Sequence, residues 1–171
     1  MPAVAKEKDF QRVTNEYARR CIASMRDELD ALAHARECDG ADENGKPCKR
    51  GTETETYTMQ GKRYKRAVHD CPEAWHDEET ARRKIEESPL SLEVRSGWHA
   101  PGEQGEAEEY NILLGTGGPA SRIIGELNEG SIITARFQYQ DWFKPWTDAQ
   151  LLTDAEEATL LEWAQQFYFE S

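Results

Sequence analysis

The sequence predicts an α+β fold: a long N-terminal helix and small polar hairpin, then a helix, a four-stranded antiparallel sheet and a C-terminal helix. Three observations predict it. Residues 8–37 contain no Gly or Pro and repeat apolar side chains every three or four positions, the period of a helix. Residues 90–142 hold four apolar segments, and the breaks between them are too short for crossover helices, which favours antiparallel pairing. Residues 154–168 return to helical spacing. Five Trp, six Tyr and five Phe in 171 residues are too many aromatics for a disordered chain, and the length suits one core.

Taken in order, the first helix carries a stripe of Phe10, Val13, Tyr17, Cys21, Met25, Leu29 and Leu32, and 25 to 30 residues of helix are expected. Gly40, after Cys38-Asp39, supplies a left-handed stop. Residues 38–51 read as a turn-rich loop. TETETYTM and KRYKRAV then read as two short strands joined at Gln60-Gly61, a hairpin with too little apolar content to be stable alone. Residues 77–87 form a second helix with acids in its first turn, where they suit the helix dipole, and Ser88-Pro89 ends it. The strands of the sheet are Leu90 to Trp98, Tyr110 to Leu114, Ser121 to Leu127 and Ile132 to Trp142. In the last, Ala135, Phe137 and Tyr139 alternate with polar residues, the period of a half-buried strand. Thr153 or Asp154 can cap the final helix, whose buried face is Leu160, Leu161, Trp163, Ala164 and Phe167. The expected organisation is an N-terminal helix and cysteine-containing hairpin over 1–76, and an acidic α+β domain over 77–171.

Charge is the next informative feature. Residues 1–70 hold 14 basic and 13 acidic side chains; the remainder hold 7 and 20, so the net charge of −12 belongs to the C-terminal part. Phosphate binding there is disfavoured, because repelling carboxylates outnumber every Lys or Arg that could release a counterion. Such a surface can instead attract a basic groove, although acidity also serves solubility alone. The one basic cluster is Lys62, Arg63, Lys65 and Arg66 on the hairpin. There is no run of 18 apolar residues and no apolar segment at the start, so the expectation is a cytoplasmic protein without a membrane span.

Cys38, Cys48, His69 and Cys71 offer three thiols and an imidazole, enough in kind for a tetrahedral zinc site bracketing the weak hairpin; His76 is an alternative fourth ligand. Neither pair has compact finger spacing, and ordinary reduced cysteines are the other reading, with no cofactor at all. Cys21 lies on the helix stripe. Gly115-Thr116-Gly117-Gly118-Pro119 lacks the pattern of either phosphate-binding loop and reads as a hairpin turn. Acids gather at Asp77, Glu78, Glu79, Glu86 and Glu87, and again at Glu103, Glu106, Glu108 and Glu109 beside Trp98 and His99. Loop carboxylates of this kind are surface groups more often than a sheltered catalytic pair. The sequence carries no G-x-S-x-G or H-E-x-x-H motif, and no enzyme is expected. Asp141-Trp142-Phe143-Lys144-Pro145-Trp146, the densest aromatic stretch, reads as packing for a strand end under the last helix.

In order along the chain, IEESPLSLEVRSGWHAPG, EYNILLGTGGPASRIIGEL, YQDWFKPWT and LLEWAQQFYF resemble a family of small proteins of unassigned function from bacteriophages and prophages. The resemblance covers roughly residues 82 to 169 and leaves out the first helix and the hairpin. It implies a phage gene product in the cytoplasm of an infected bacterium, and it brings no catalytic residues with it. Together with the charge, it points to a non-catalytic protein that inhibits a bacterial defence complex of the anti-CRISPR or antirestriction kind. The nine acids named above would be the partner-binding residues, mimicking nucleic acid, with a host protein complex rather than nucleic acid or membrane as partner. The alternative is a zinc-stabilised nucleic-acid-binding or regulatory phage protein using hairpin residues 62–66.

The metal can be tested by itself. If the cysteines hold zinc, protein purified without chelator contains about one zinc per chain by elemental analysis, and Cys48→Ser loses it. Metal-free protein at full yield would leave four reduced thiols.

Overall fold

The computed structural model describes residues 2–37, 52–59, 62–69, 77–103 and 105–169. The chain divides into two compact units, one of Met1–Asp27 with Ile85–Ser171 and one of Glu28–Lys84. This division differs from the one expected at 76/77, because the first 27 residues belong with the sheet.

Helix α1 (Pro2–Glu37) is longer than expected at 36 residues. Within the first unit its most buried positions are Thr14, Ala18, Ile22 and Met25. Phe10, Val13, Tyr17 and Cys21, the front of the predicted stripe, are only half-buried. The buried face is turned one position along the helix from the predicted stripe and holds the large Ile22 and Met25 as well as the small Thr14 and Ala18, while the aromatic rings lie at its margin. There the Tyr17 ring lies 4.9 Å from Tyr139 and 6.3 Å from Phe137, and Phe10 lies 5.8 Å from Tyr139. Thr14 satisfies its buried hydroxyl by donating to the Phe10 carbonyl at 3.0 Å.

The sheet comprises β3 (Ser91–Ser96), β4 (Ala107–Gly115), β5 (Ala120–Asn128), β6 (Ser131–Ile132), β7 (Arg136–Gln140) and β8 (Thr147–Asp148). Its order is β3-β4-β5-β7-β8, every neighbouring pair is antiparallel, and β6 pairs with the end of β5. The antiparallel meander was expected, but with four strands where the sheet has six. The predicted fourth strand is broken into β6 and β7, and β8 follows directly on the aromatic stretch 141–146, where no strand was expected. The cause of the break is Gly125. A Cβ at that position would stand 1.9 Å from the Thr134 carbonyl oxygen, so residues 133–135 cross directly over bare backbone. Tyr110 Oη donates to that carbonyl at 2.8 Å, and Thr134 Oγ1 accepts from the Glu126 N–H at 2.9 Å. Glu129 (φ 51°) and Gly130 (φ 76°) make the tight turn from β5 to β6.

Register sets Ile112, Ile123 and Phe137 opposite one another in one row, none more than 1% exposed. Helix α3 (Asp154–Ala164) adds Leu160, Trp163 and Ala164, with Phe167 just beyond its end, whereas Leu161 is only half-buried. Thr153 caps it in a capping box: its Oγ1 accepts from the Glu156 N–H at 3.3 Å and its N–H donates to Glu156 Oε2 at 2.7 Å.

In the other unit, β1 (Thr52–Met59) and β2 (Lys62–His69) form the expected antiparallel hairpin, with Met59 opposite Lys62. The Gln60-Gly61 turn lies outside the described residues. Helix α2 (Glu78–Glu86) crosses the boundary between the units, with Ala81 and Ile85 as its buried positions.

Two outcomes follow from these contacts. Gly125→Ala destabilises the fold by at least about 2 kcal/mol, read from urea melts, since the obstructing atom is backbone and has nowhere to go. Thr153→Ala costs about 1 kcal/mol through the lost cap. Donation from the Thr153 N–H holds the Glu156 carboxyl below its ordinary value of 4.5. Its contribution is therefore full above that pH and lost as pH falls through the depressed value, so the stability gap between wild type and Glu156→Gln closes in acid.

Candidate functional site

The start of β4 carries Glu108 and Glu109, and the connection from β3 to β4 carries Glu103 and Glu106. Pro101 and Gly102 (φ 91°) bend it, and the Glu103 N–H closes a turn onto the Ala100 carbonyl at 3.0 Å. His99 lies over Gly105, where a Cβ would come within 2.5 Å of its Nδ1. His99, Glu103 and Glu106, with Val94, Ser96 and Ala107, line an open depression of about 480 Å³. Trp98 stands wholly exposed. Glu108 places its carboxylate 2.7 Å from where a Cβ on Gly97 would sit. Glu109 points to the other face of the sheet and pairs with Arg95. Among the described residues no Lys or Arg pairs with Glu103, Glu106 or Glu108, and no nucleophile is hydrogen-bonded to a base in the depression. The chemistry offered is that of free carboxylates on a fixed loop.

The α2 acids have different duties. Asp77 begins the helix, accepting from the Glu79 N–H at 3.1 Å and from Thr80 Oγ1 at 2.5 Å. Glu78 bonds Arg36 at 3.0 Å and Arg82 at 3.2 Å, and those two guanidinium groups, Arg36 first, hold its carboxyl below the usual range. Asp77, Glu78 and Glu79 belong to the Glu28–Lys84 unit, and Glu86, Glu87 and the loop acids to the other. Glu79, Glu86 and Glu87 are exposed.

Of the candidate metal ligands, Cys38, Cys48, Cys71 and His76 lie outside the described residues, and His69 is described only as the last backbone position of β2. Among the described residues no three His, Cys, Asp or Glu side chains gather as a metal site would require. Burial pushes the Cys21 thiol up to about 11, so it is a protonated, unreactive thiol at neutral pH.

Two further features were not read from the sequence as they stand. On the face of the sheet away from α1 and α3, charges of opposite sign sit on neighbouring strands. Arg122 lies 4.2 Å over the Trp146 ring and donates from Nε to Gln138 at 2.8 Å; Gln138 donates to Asp148 at 2.7 Å, and Asp148 faces Arg136 at 3.6 Å. Asn111 donates to Glu93 at 2.8 Å. The period-2 alternation of these residues was visible, but only the register shows which charges meet. The second feature is a correction. Trp142 and Phe143, expected beneath the last helix, are exposed with their rings 6.2 Å apart, and Trp146 alone of the three is half-buried. Phe143 has φ 58°, a region bulky side chains avoid at a cost of order 1 kcal/mol. The Trp142 indole occupies the space over Gly118, where a Cβ would lie 2.0 Å from Nε1, so the glycines of the β4–β5 turn serve packing as well as turning.

Comparisons with protein-family models, with curated proteins and with solved structures returned no match. The site is therefore read from its own residues.

Proposed function

We propose that this protein is a non-catalytic binding protein whose acidic surface occupies a basic, nucleic-acid-holding groove on a protein partner, as an inhibitor of a bacterial defence complex would. The observation that carries this reading is the β3–β4 loop with the start of β4, where Glu103, Glu106 and Glu108 are exposed and no cation among the described residues pairs with them. Several carboxylates elsewhere are engaged: Glu78 by two arginines, Glu109 by Arg95, Asp148 by Gln138 and Arg136. A carboxylate left without a cation in a protein that pairs so many others is available to a partner. Its long-range field speeds encounter with a basic groove and weakens as salt screens it. Glu86 and Glu87, also exposed, extend the same charge in the same unit.

The experiment compares what immobilised wild type and an E86K/E87K/E103K/E106K variant retain from bacterial lysate. All four positions are exposed, so the variant keeps its far-UV spectrum and its stability to within about 0.5 kcal/mol per site. Wild type retains a nucleic-acid-binding protein that salt elutes, and the variant loses it. Equal retention by both proteins would falsify the acidic-surface reading. A gel-shift of DNA or RNA by the wild type at physiological salt would favour the basic hairpin, where Arg66 sits opposite Glu55 and Lys65 opposite Thr56.

A further inference from the structure

The sheet has one long edge. Among the described residues β3 pairs with β4 alone, and the opposite end of the order, β8, is two residues long. Natural edge strands are protected by Pro, by Lys, by a bulge or by a covering element. Ser91–Ser96 has no Pro and no Lys, and the irregularity beside Arg95/Ser96 places its extra residue, Glu108, on β4. Nor is the strand covered. Leu92 and Val94 sit opposite the buried Ile112 and Tyr110, so they belong to the apolar face of the sheet, yet they are 45% and 50% exposed, and Leu90 is 60% exposed. The apolar face runs on beyond the side chains that cover it.

The sequence of β3 says what could pair there. In an antiparallel pairing of two copies, the register that sets Val94 opposite Val94 of the second copy also sets Glu93 opposite Arg95 and Arg95 opposite Glu93. Shifting by one residue on each strand opposes Glu93 to Glu93, or Arg95 to Arg95, and like charges directly opposite are unfavourable. A slip of one residue in total sets apolar positions of one copy against charged ones of the other. The register about Val94 is the one that pairs Glu93 with Arg95 while keeping the apolar positions on one face. It also runs Leu90 toward Trp98 of the second copy, and Trp98 stands wholly outside its own chain.

We propose that β3 is the interface of a homodimer, two copies pairing antiparallel through Ser91–Ser96 about a two-fold axis at Val94 to make one continuous sheet. The pairing is isologous, closes on itself and covers the longer edge of the six-stranded sheet. Strand addition of this kind takes its affinity from main-chain hydrogen bonds and its register from the side chains. The proposal does not depend on the acidic-surface reading, since neither Glu103 nor Glu106 is in the strand.

Sedimentation across a concentration series tests it. Wild type passes from monomer to dimer as concentration rises, and Val94→Lys, which opposes two ammonium groups at the axis, raises the dimer dissociation constant by more than about tenfold. Val94 is half-exposed in the single chain, so the variant keeps the wild-type melting curve. A second variant fixes the register: Val94→Cys cross-links to itself under mild oxidation more efficiently than Leu92→Cys, above the background of the native cysteines in oxidised wild type. Wild type that stays monomeric at its solubility limit overturns the proposal. So does a dimer that survives Val94→Lys, or equal cross-linking at 92 and 94.

Discussion

The six-stranded sheet has one apolar face, and its unit depends on helices covering the row Ile112–Ile123–Phe137. That constraint explains α1. Its first 27 residues belong to the same unit as strands more than 100 residues away, and they stay there because Thr14, Ala18 and Ile22 fit closely enough to exclude water. A fully buried Ile or Phe contributes about 1.5–3 kcal/mol, so a few such positions outweigh the many charged residues along the rest of the helix. Polar contacts fix the docking without driving it. Asn15 Oδ1 accepts from the Gln150 N–H at 2.8 Å, Gln11 donates to the Asp148 carbonyl at 2.9 Å, and Arg26 donates to Thr159 at 3.2 Å. α3 closes the face from the other side, and Gln165 ties its end to the Ile132 carbonyl at 3.1 Å.

Those facts also show how far the sequence could be read. Helix, hairpin, helix, meander and helix were legible because each depends on local period or on turn residues, and Thr153 was legible as a cap because capping is local too. The face of α1 that touches the sheet was not. Apolarity alone nominated Phe10, Tyr17 and Cys21, whereas the buried face lies one position further on and includes Thr14, which carries no apolar signal. The break between β6 and β7 was hidden for the same reason: Gly125 and Thr134 meet across two strands, and nothing local marks either as the point where pairing stops. Trp142 and Phe143 misled in the opposite direction, since aromatic density describes a buried cluster and an exposed one equally well. Of the candidate site, the acids were legible individually. Which of them would be paired with arginines depended on register and on helix spacing, and only Glu78 and Arg82, four apart on one helix, could have been matched from sequence.

Pairing sorts the acidic residues into two populations with different consequences. Glu78, Glu109, Asp148 and Glu156 are spent inside the fold, on arginines, a glutamine or a helix cap, and their charge is largely cancelled at the surface. Glu86, Glu87, Glu103 and Glu106 stabilise nothing among the described residues, and mutual repulsion makes holding them together unfavourable. Solubility would be served as well by acids scattered over the chain. Glu103 and Glu106 sit on a loop bent at Pro101 and closed by a turn at Ala100–Glu103, which is the placement that the proposed electrostatic role rests on.

The uncovered strand and the acidic loop are two results of one geometric shortfall. The buried rows of β4, β5 and β7 are covered in full, and β3 is left with Leu92 and Val94 in partial contact with water. A strand in that position needs something beyond it, or its apolar face and unpaired backbone become a liability for aggregation. The loop that leaves β3 inherits this placement: it emerges at the margin of the core, where no helix side chain is available to neutralise it. Whatever lies against β3 therefore stands beside the free carboxylates as well. In a two-fold pairing the two acidic loops would flank the same joined sheet, and a partner groove would meet a surface with twice the charge of one chain at fixed spacing. Doubling a charged element in this way raises affinity through effective concentration, with no new contact required. The edge of the sheet and its charge are thus linked by how far the helices reach.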